Sequence, residues 1–272
     1  AGVVAGEINT ETDQSHFQFY NWEVSLAKWT YDYRVTPAKH GKYYLHGEKF
    51  TKIPEASRSI IVDFKLYGVA LDYDVIMKAF NIENSAIYRS SIQNIRPKSS
   101  EEWNVCLDNV INIYESIIKN SNNAVHIFPI AAIPLLVAFG YLLQNNNPNI
   151  NIYQYFENEN KWVYNEQDDS INMVLDLKQN GSKILAVSVS VSAPVNIGDV
   201  ESALNVEFDL LSIGVDNPQL SYLNYYADVQ RLKKTLKIEL DKIYYKYDEI
   251  HLFLAAPAGV CIEVGRIIRE NM

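Results

Sequence analysis

The chain has 272 residues, 48% hydrophobic and 21% charged, a balance that supports one large core or two ordinary ones and excludes a disordered chain. Its net charge of −9 opposes sequence-independent binding to long nucleic acid, where Lys and Arg contacts to phosphate supply most of the affinity; a small anion in a local site remains compatible. Cys106 and Cys261, each in an apolar helical pattern, read as buried thiols of a reducing cytosol rather than a disulfide or a metal site.

Residues 1–57 carry aromatics (Phe17, Phe19, Tyr20, Trp22, Trp29, Tyr31, Tyr33, Tyr43, Tyr44) and few long apolar runs, which predicts short strands or an arm packed over the first half of the chain. Residues 1–20 lack the basic start and apolar run of a secretory signal, and the opening Ala1-Gly2 without Met reads as part of a longer protein. Alternation over 60–66 predicts a strand ended by Gly68, then a short helix from the N-cap Asp72 through Phe80. Ser99 with Glu102 forms a capping-box pattern for a helix to about residue 119, with Leu107, Val110, Ile111, Tyr114, Ile117 and Ile118 on its buried face. An apolar strand over 125–128, a helix over 133–143 and an alternating strand over 150–156 complete a β-α-β-α-β order with parallel strands. Residues 124–143 are long enough to raise a membrane span. His126, Pro129 and Pro134 inside it and the lack of flanking Lys or Arg clusters argue for a buried strand and helix instead.

Segments 161–164 and 171–177 read as strands joined by an acidic turn, with residues 179–181 as a hairpin into a second series. That series predicts a strand over 184–191, a short helix from Gly198-Asp199, a long helix over 228–244, a strand over 249–254 and a helix over 258–269. It retraces the first. Residues 124–140 (AVHIFPIAAIPLLVAFG) and 249–265 (EIHLFLAAPAGVCIEVG) align without a gap at an offset of 125, which also pairs Val62 with Val187 and Asp74 with Asp199. The expected architecture is therefore α/β, with an N-terminal segment (1–57), a first unit (58–178) and a second (179–272) packed around a central ligand cleft. The partner of strand 150–156 is expected just after 269; either that edge strand lies outside this sequence or the second half is a shortened copy.

Ligands of open α/β sheets bind beyond the carboxyl ends of the strands. Four corners qualify, in two symmetric pairs: Tyr67-Gly68-Val69 with Ser192-Ala193-Pro194, and 129–133 with 254–258, containing Pro129, Ala131, Ala132, Leu254, Ala255, Ala256 and Pro257. The small residues of the second pair serve either close amide approach to an anion or close packing of helix on strand. Neither corner has a Walker-type or GxGxxG loop. His16, His40, His46, His126 and His251 show no metal spacing, and His126 and His251 read as satisfied structural histidines. No GxSxG elbow occurs. Glu101-Glu102 and Asp168-Asp169 read as solvated carboxylates, and Arg231, Lys233, Lys234 and Lys237 as a solvated basic face, or else a phosphate or partner contact.

Residues 185–204 (LAVSVSVSAPVNIGDVESAL) and 251–266 (HLFLAAPAGVCIEVGR) resemble the SAVED family, sensor domains built from two fused Rossmann-like (CARF-like) units. The resemblance covers roughly 58–272, its most specific element being the Phe-x-Ala-Ala-Pro corner that leads to Gly265-Arg266. It implies a cytoplasmic, non-enzymatic receptor for a cyclic oligonucleotide second messenger in prokaryotic antiviral defence of the CBASS type, or beside type III CRISPR. It also implies a fused or associated effector, such as a nuclease, and ligand-induced homo-oligomers, without a membrane segment or cofactor here. His40 and His46 lack an HNH nuclease pattern.

On this reading a cyclic di- or trinucleotide lies across the pseudo-two-fold cleft. Its phosphates meet the amides of Ala131, Ala132, Ala255 and Ala256, and its bases meet the Tyr67 and Ser192 corners, with Tyr67, Tyr155 or Trp29 as stacking partner. A ring nuclease and a purely structural interaction module are the alternatives.

Overall fold

The computed structural model describes residues 29–37, 43–52, 59–66, 68, 70–82, 85–90, 96–115, 123–143, 149–156, 159–164, 167, 171–220, 223 and 225–268, of which 29–52 by backbone alone. Ala1–Arg58 and Ser59–Met272 form separate compact units. In the first, strands β1 (Trp29–Pro37) and β2 (Tyr43–Lys52) pair antiparallel, with an irregularity between Asp32 and Tyr33.

The second unit contains the repeat. In chain order it runs β3 (Ser59–Lys65), α1 (Tyr73–Ala79), β4 (Ser85–Arg89), α2 (Ser100–Ile113), β5 (Ala124–Ile130), α3 (Ile133–Leu143) and β6 (Ile150–Ile152). Then come β7 (Gln154–Phe156), β8 (Lys161–Val163), β9 (Met173–Lys178), β10 (Ile184–Ser190), α4 (Ile197–Leu204), β11 (Asp209–Val215), α5 (Tyr226–Ile243), β12 (Glu249–Ala255) and α6 (Ala258–Gly265). One sheet has the order β4-β3-β5-β6, all parallel; the other has β12-β10-β11-β9, in which β9 alone runs antiparallel.

The offset of the repeat is reproduced in the hydrogen-bonding register. Ser59↔Ala124 through Lys65↔Ile130 correspond pair for pair to Ile184↔Glu249 through Ser190↔Ala255. The next bonds, Leu66 N–H to Ile130 O and Val191 N–H to Ala255 O, correspond too, both at 2.9 Å.

Helices α3 and α6 join the two halves, and Gly140 and Gly265 make this possible. A Cβ on Gly140 would stand 2.0 Å from the Ile262 carbonyl oxygen, and one on Gly265 2.1 Å from that of Val137. Val137 and Ile262 are themselves repeat partners, so the contact is self-complementary, as a two-fold requires. Leu254 and Ala256 pack against the buried clusters of both sheets, so the core is continuous across the junction.

Local signals hold where capping chemistry is explicit: Asp72 accepts from Val75 N–H, and the Ser99–Glu102 capping box is complete. Elsewhere packing overrides pattern. Strands β4 and β11 extend the expected order; Gly214 lets β11 approach β10 so closely that a Cβ there would meet the Ser190 carbonyl oxygen at 2.2 Å. Helix α2 is rotated from its expected face. Cys106, Asn109, Val110 and Ile113 are buried, with Asn109 accepting from Ser90 Oγ at 2.7 Å, while Leu107 and Ile111 are each 38% exposed. Ile117 and Ile118 lie outside the described residues. The single strand expected over 150–156 divides at Tyr153, which is buried on the opposite face and stacks on Phe128 at 4.3 Å; beyond it the chain leaves the sheet and pairs with β8.

The expected hairpin at 179–181 does not form, because β11 lies between β9 and β10. The buried Asp209 carboxylate organises that turn, accepting from Asn180 N–H at 2.7 Å, Ser182 N–H at 3.1 Å and Tyr247 OH at 2.8 Å. Burial pushes its pKa up, but these donors outweigh burial and hold it below the usual value. Both cysteines are buried and free, the Cys261 thiol pushed up to about 12 by burial.

Gly140→Ala and Gly265→Ala should each lower stability in urea denaturation by about 1–3 kcal/mol, the range of overpacking. Gly198→Ala, whose Cβ meets Asn196 Oδ1 at an ordinary 3.5 Å, should be neutral or stabilising. His126, buried with Nδ1 2.8 Å from Tyr153 OH, has its pKa lowered to about 4 by desolvation. Its contribution to stability is thus present above the unfolded value of 6.5 and declines as pH falls toward 4. NMR titration should find the ring neutral down to about pH 5; a midpoint near its ordinary value would show a solvated ring.

Candidate ligand site

Beyond the carboxyl ends of β3 and β5 lies a cavity of about 360 Å³, within the roughly 300–1,000 Å³ of small-molecule sites. Lys65 and Ile130, the last residues of their strands, form its base; Leu71, Asp72 and Ile76 line one side. Tyr155 and Trp162 close the other from the β7–β8 hairpin. Lys65 is only 8% exposed and lines the cavity, so its charge is largely withdrawn from bulk solvent. It stands on a strand buried on both faces, an uncommon setting for a cation.

The aromatic wall follows from strand pairing. Tyr155 lies directly across from Trp162, so their side chains share one face, with ring centroids 5.2 Å apart. Tyr155 OH donates to Asn160 Oδ1 at 2.6 Å, and the Trp162 ring meets Phe128 edge-on at 5.1 Å. A cation, a carboxylate and a pair of rings around such a volume can hold an anionic group and an aromatic ring together.

The residues expected from sequence divide. Gly68 is exposed with φ +92°, a conformation costly for other residues, and a Cβ added there would reach Ile130 Cδ1 at 3.6 Å. Tyr67 and the side chain of Trp29 lie outside the described residues. Ser192 is half-buried, donating its N–H to Ala255 O at 2.8 Å, and Ala193 is exposed. Pro129 is buried within β5. Ala131 is buried in the first core cluster and Ala132 packs against it. Ala255 ends β12, Ala256 touches both clusters, and Pro257 precedes α6. Close packing thus accounts for the small size of Ala131 and Ala256. Tyr155 is the expected stacking residue that the fold brings to the cavity.

Lys65, Trp162, Gln154 and Glu263 were not singled out by sequence. Lys65 and Glu263 did carry a signal, a charge in an apolar strand and a lone carboxylate inside an apolar helix. Glu263, 2% exposed, pairs with Lys233 at 2.5 Å and Arg266 at 2.9 Å. Arg231 pairs with Asp228 and Lys237 with Asp241, so three of the four residues of the expected basic face are locally neutralised. His251, at the edge of its sheet, is 3.1 Å from Glu249 and more exposed than His126. Among the described residues no group of His, Cys, Asp and Glu is suited to a metal ion, and no helix is long and apolar enough to cross a membrane.

Similar solved structures include the Acinetobacter baumannii Cap4 SAVED/CARF-domain containing receptor with the cyclic trinucleotide 3′3′3′-cAAA (TM-score 0.47, 14% identity, 76% of this chain and 46% of that one). The same receptor with 2′3′3′-cAAA gives a TM-score of 0.48 at 13% identity, with the same coverage. A further structure of it gives 0.42 at 13% identity, covering 76% of this chain and 44% of that one. The chain thus spans less than half the length of these receptors. No curated protein matches. Residues 107–272 match the family model described as "SMODS-associated and fused to various effectors sensor domain". With more than half of its length matched, the chain belongs to the SAVED family of sensor domains.

Proposed function

We propose that this chain is the sensing part of an anti-phage defence protein of the CBASS type, binding a cyclic di- or trinucleotide without cleaving it. The observation that carries the reading is the buried Lys65 beside the Tyr155–Trp162 pair, at the carboxyl end of a parallel sheet in a chain of this family. A phosphate on Lys65 and a base against the two rings use both chemistries of a nucleotide. The rest of the ligand extends toward Gly68, and the corresponding corner at Ser192 and Ala193 belongs to the same proposal. Membership of a family of sensor domains supports a bound messenger over a substrate.

Residues 58–178 and 179–272 are, on this proposal, the two fused units, with β9 crossing to the second sheet. Ligand binding favours one arrangement of copies and so activates a fused or associated effector in the cytoplasm.

Isothermal titration against a panel of cyclic di- and trinucleotides should show binding of one class, with the ligand recovered intact after long incubation. Trp162→Ala should weaken it by roughly 5- to 150-fold, the equivalent of about 1–3 kcal/mol of stacking. Lys65→Met should weaken it about tenfold or more and reduce its salt dependence. Binding to no member would overturn the sensor reading; cleavage would assign a ring nuclease.

A further inference from the structure

We infer that the β7–β8 hairpin is the element through which occupancy of the cavity is felt in the second repeat, with Gln154 as the positioning residue that makes the connection. This rests on the reading of the cavity as the ligand site.

The hairpin is two-faced. Its cross-strand pair Tyr155↔Trp162 looks into the cavity, while Gln154↔Val163, one residue along, looks the other way. That second face lines a separate gap of about 10 Å³, room for about one water molecule, bounded across the repeat junction by Tyr226, Gly259 and Glu263. A ribbon only three residues long per strand has no flexible spacer between its faces. A shift of the rings is therefore a shift of Gln154.

Gln154 is 7% exposed, and its Oε1 accepts the Gly259 N–H at 3.1 Å, near the start of α6. The contact has no slack: a Cβ on Gly259 would stand 2.5 Å from Gln154 Nε2. One turn further on, Glu263 is clamped between Lys233 of α5 and Arg266 at the end of α6. The hairpin thus bears on α6, and α6 is ion-paired to α5. Both helices belong to the second unit (179–272), while both rings belong to the first (58–178).

The direct test is amide hydrogen exchange over α6 in the full chain, with and without a saturating pool of the cyclic di- and trinucleotides in the titration panel. The expected result is exchange slowed about tenfold or more in α6, within the range of ordinary coupling energies. In Gln154→Leu and, independently, Gly259→Ala, the pool should still bind within about threefold of wild type while the slowing in α6 falls below about twofold. Neither variant alters a residue lining the cavity. Binding without any change in α6 of the wild type would overturn the coupling alone. Unaltered slowing in both variants would overturn the role of Gln154. Failure of the whole pool to bind would overturn the reading of the cavity and the coupling with it.

Discussion

The arrangement of the second compact unit depends on two backbones approaching more closely than any side chain permits. At Gly140 and Gly265 each helix presents bare Cα to the other, and each faces the carbonyl of the residue that is the repeat partner of the one opposite. This single contact makes two sheets into one packed body, because Leu254 and Ala256 then touch both cores. It also brings the small-residue corners into the packing. With α3 and α6 drawn together, Ala131 and Ala256 pack in the core, and a cavity lies to one side, under the β7–β8 hairpin.

The duplication preserves the scaffold and changes the chemistry. Seven residue pairs keep one register in both sheets, yet Lys65 of the cavity corresponds to Ser190, whose Oγ accepts the Val195 N–H at 3.0 Å and braces its own loop. Strand β5 is covered by β6, whereas β12 lies at the edge of its sheet; His126 is accordingly buried and His251 is not. Equal backbones carry unequal sites. One corner presents a buried lysine and two rings, the corresponding one a serine and an alanine.

Much of this was legible in the sequence because it depends on local rules. The offset of 125 survives as hydrogen-bond register, and the caps at Asp72 and Ser99 form as their residue types require. What was not legible depends on contacts distant in sequence. Periodicity could not show that Asn109 would be buried against Ser90 and rotate α2, or that Tyr153 would divide an alternating run by stacking on Phe128. The corners stand at the strand ends as the order of elements predicts, but their packing was not legible. How closely an alanine packs on a neighbouring helix depends on the helix crossing, which two isolated glycines do not disclose. Lys65 and Glu263 did carry a signal, since a charge placed in a segment buried on all sides needs a partner or a purpose.

A ligand-bound structure tests the central claim most directly. With a cyclic di- or trinucleotide bound, a phosphate should lie within hydrogen-bonding distance of Lys65 Nζ and a base against Tyr155 and Trp162. A nucleotide held instead at Ala131 and Ala256, with the Lys65 cavity left empty, would contradict the account.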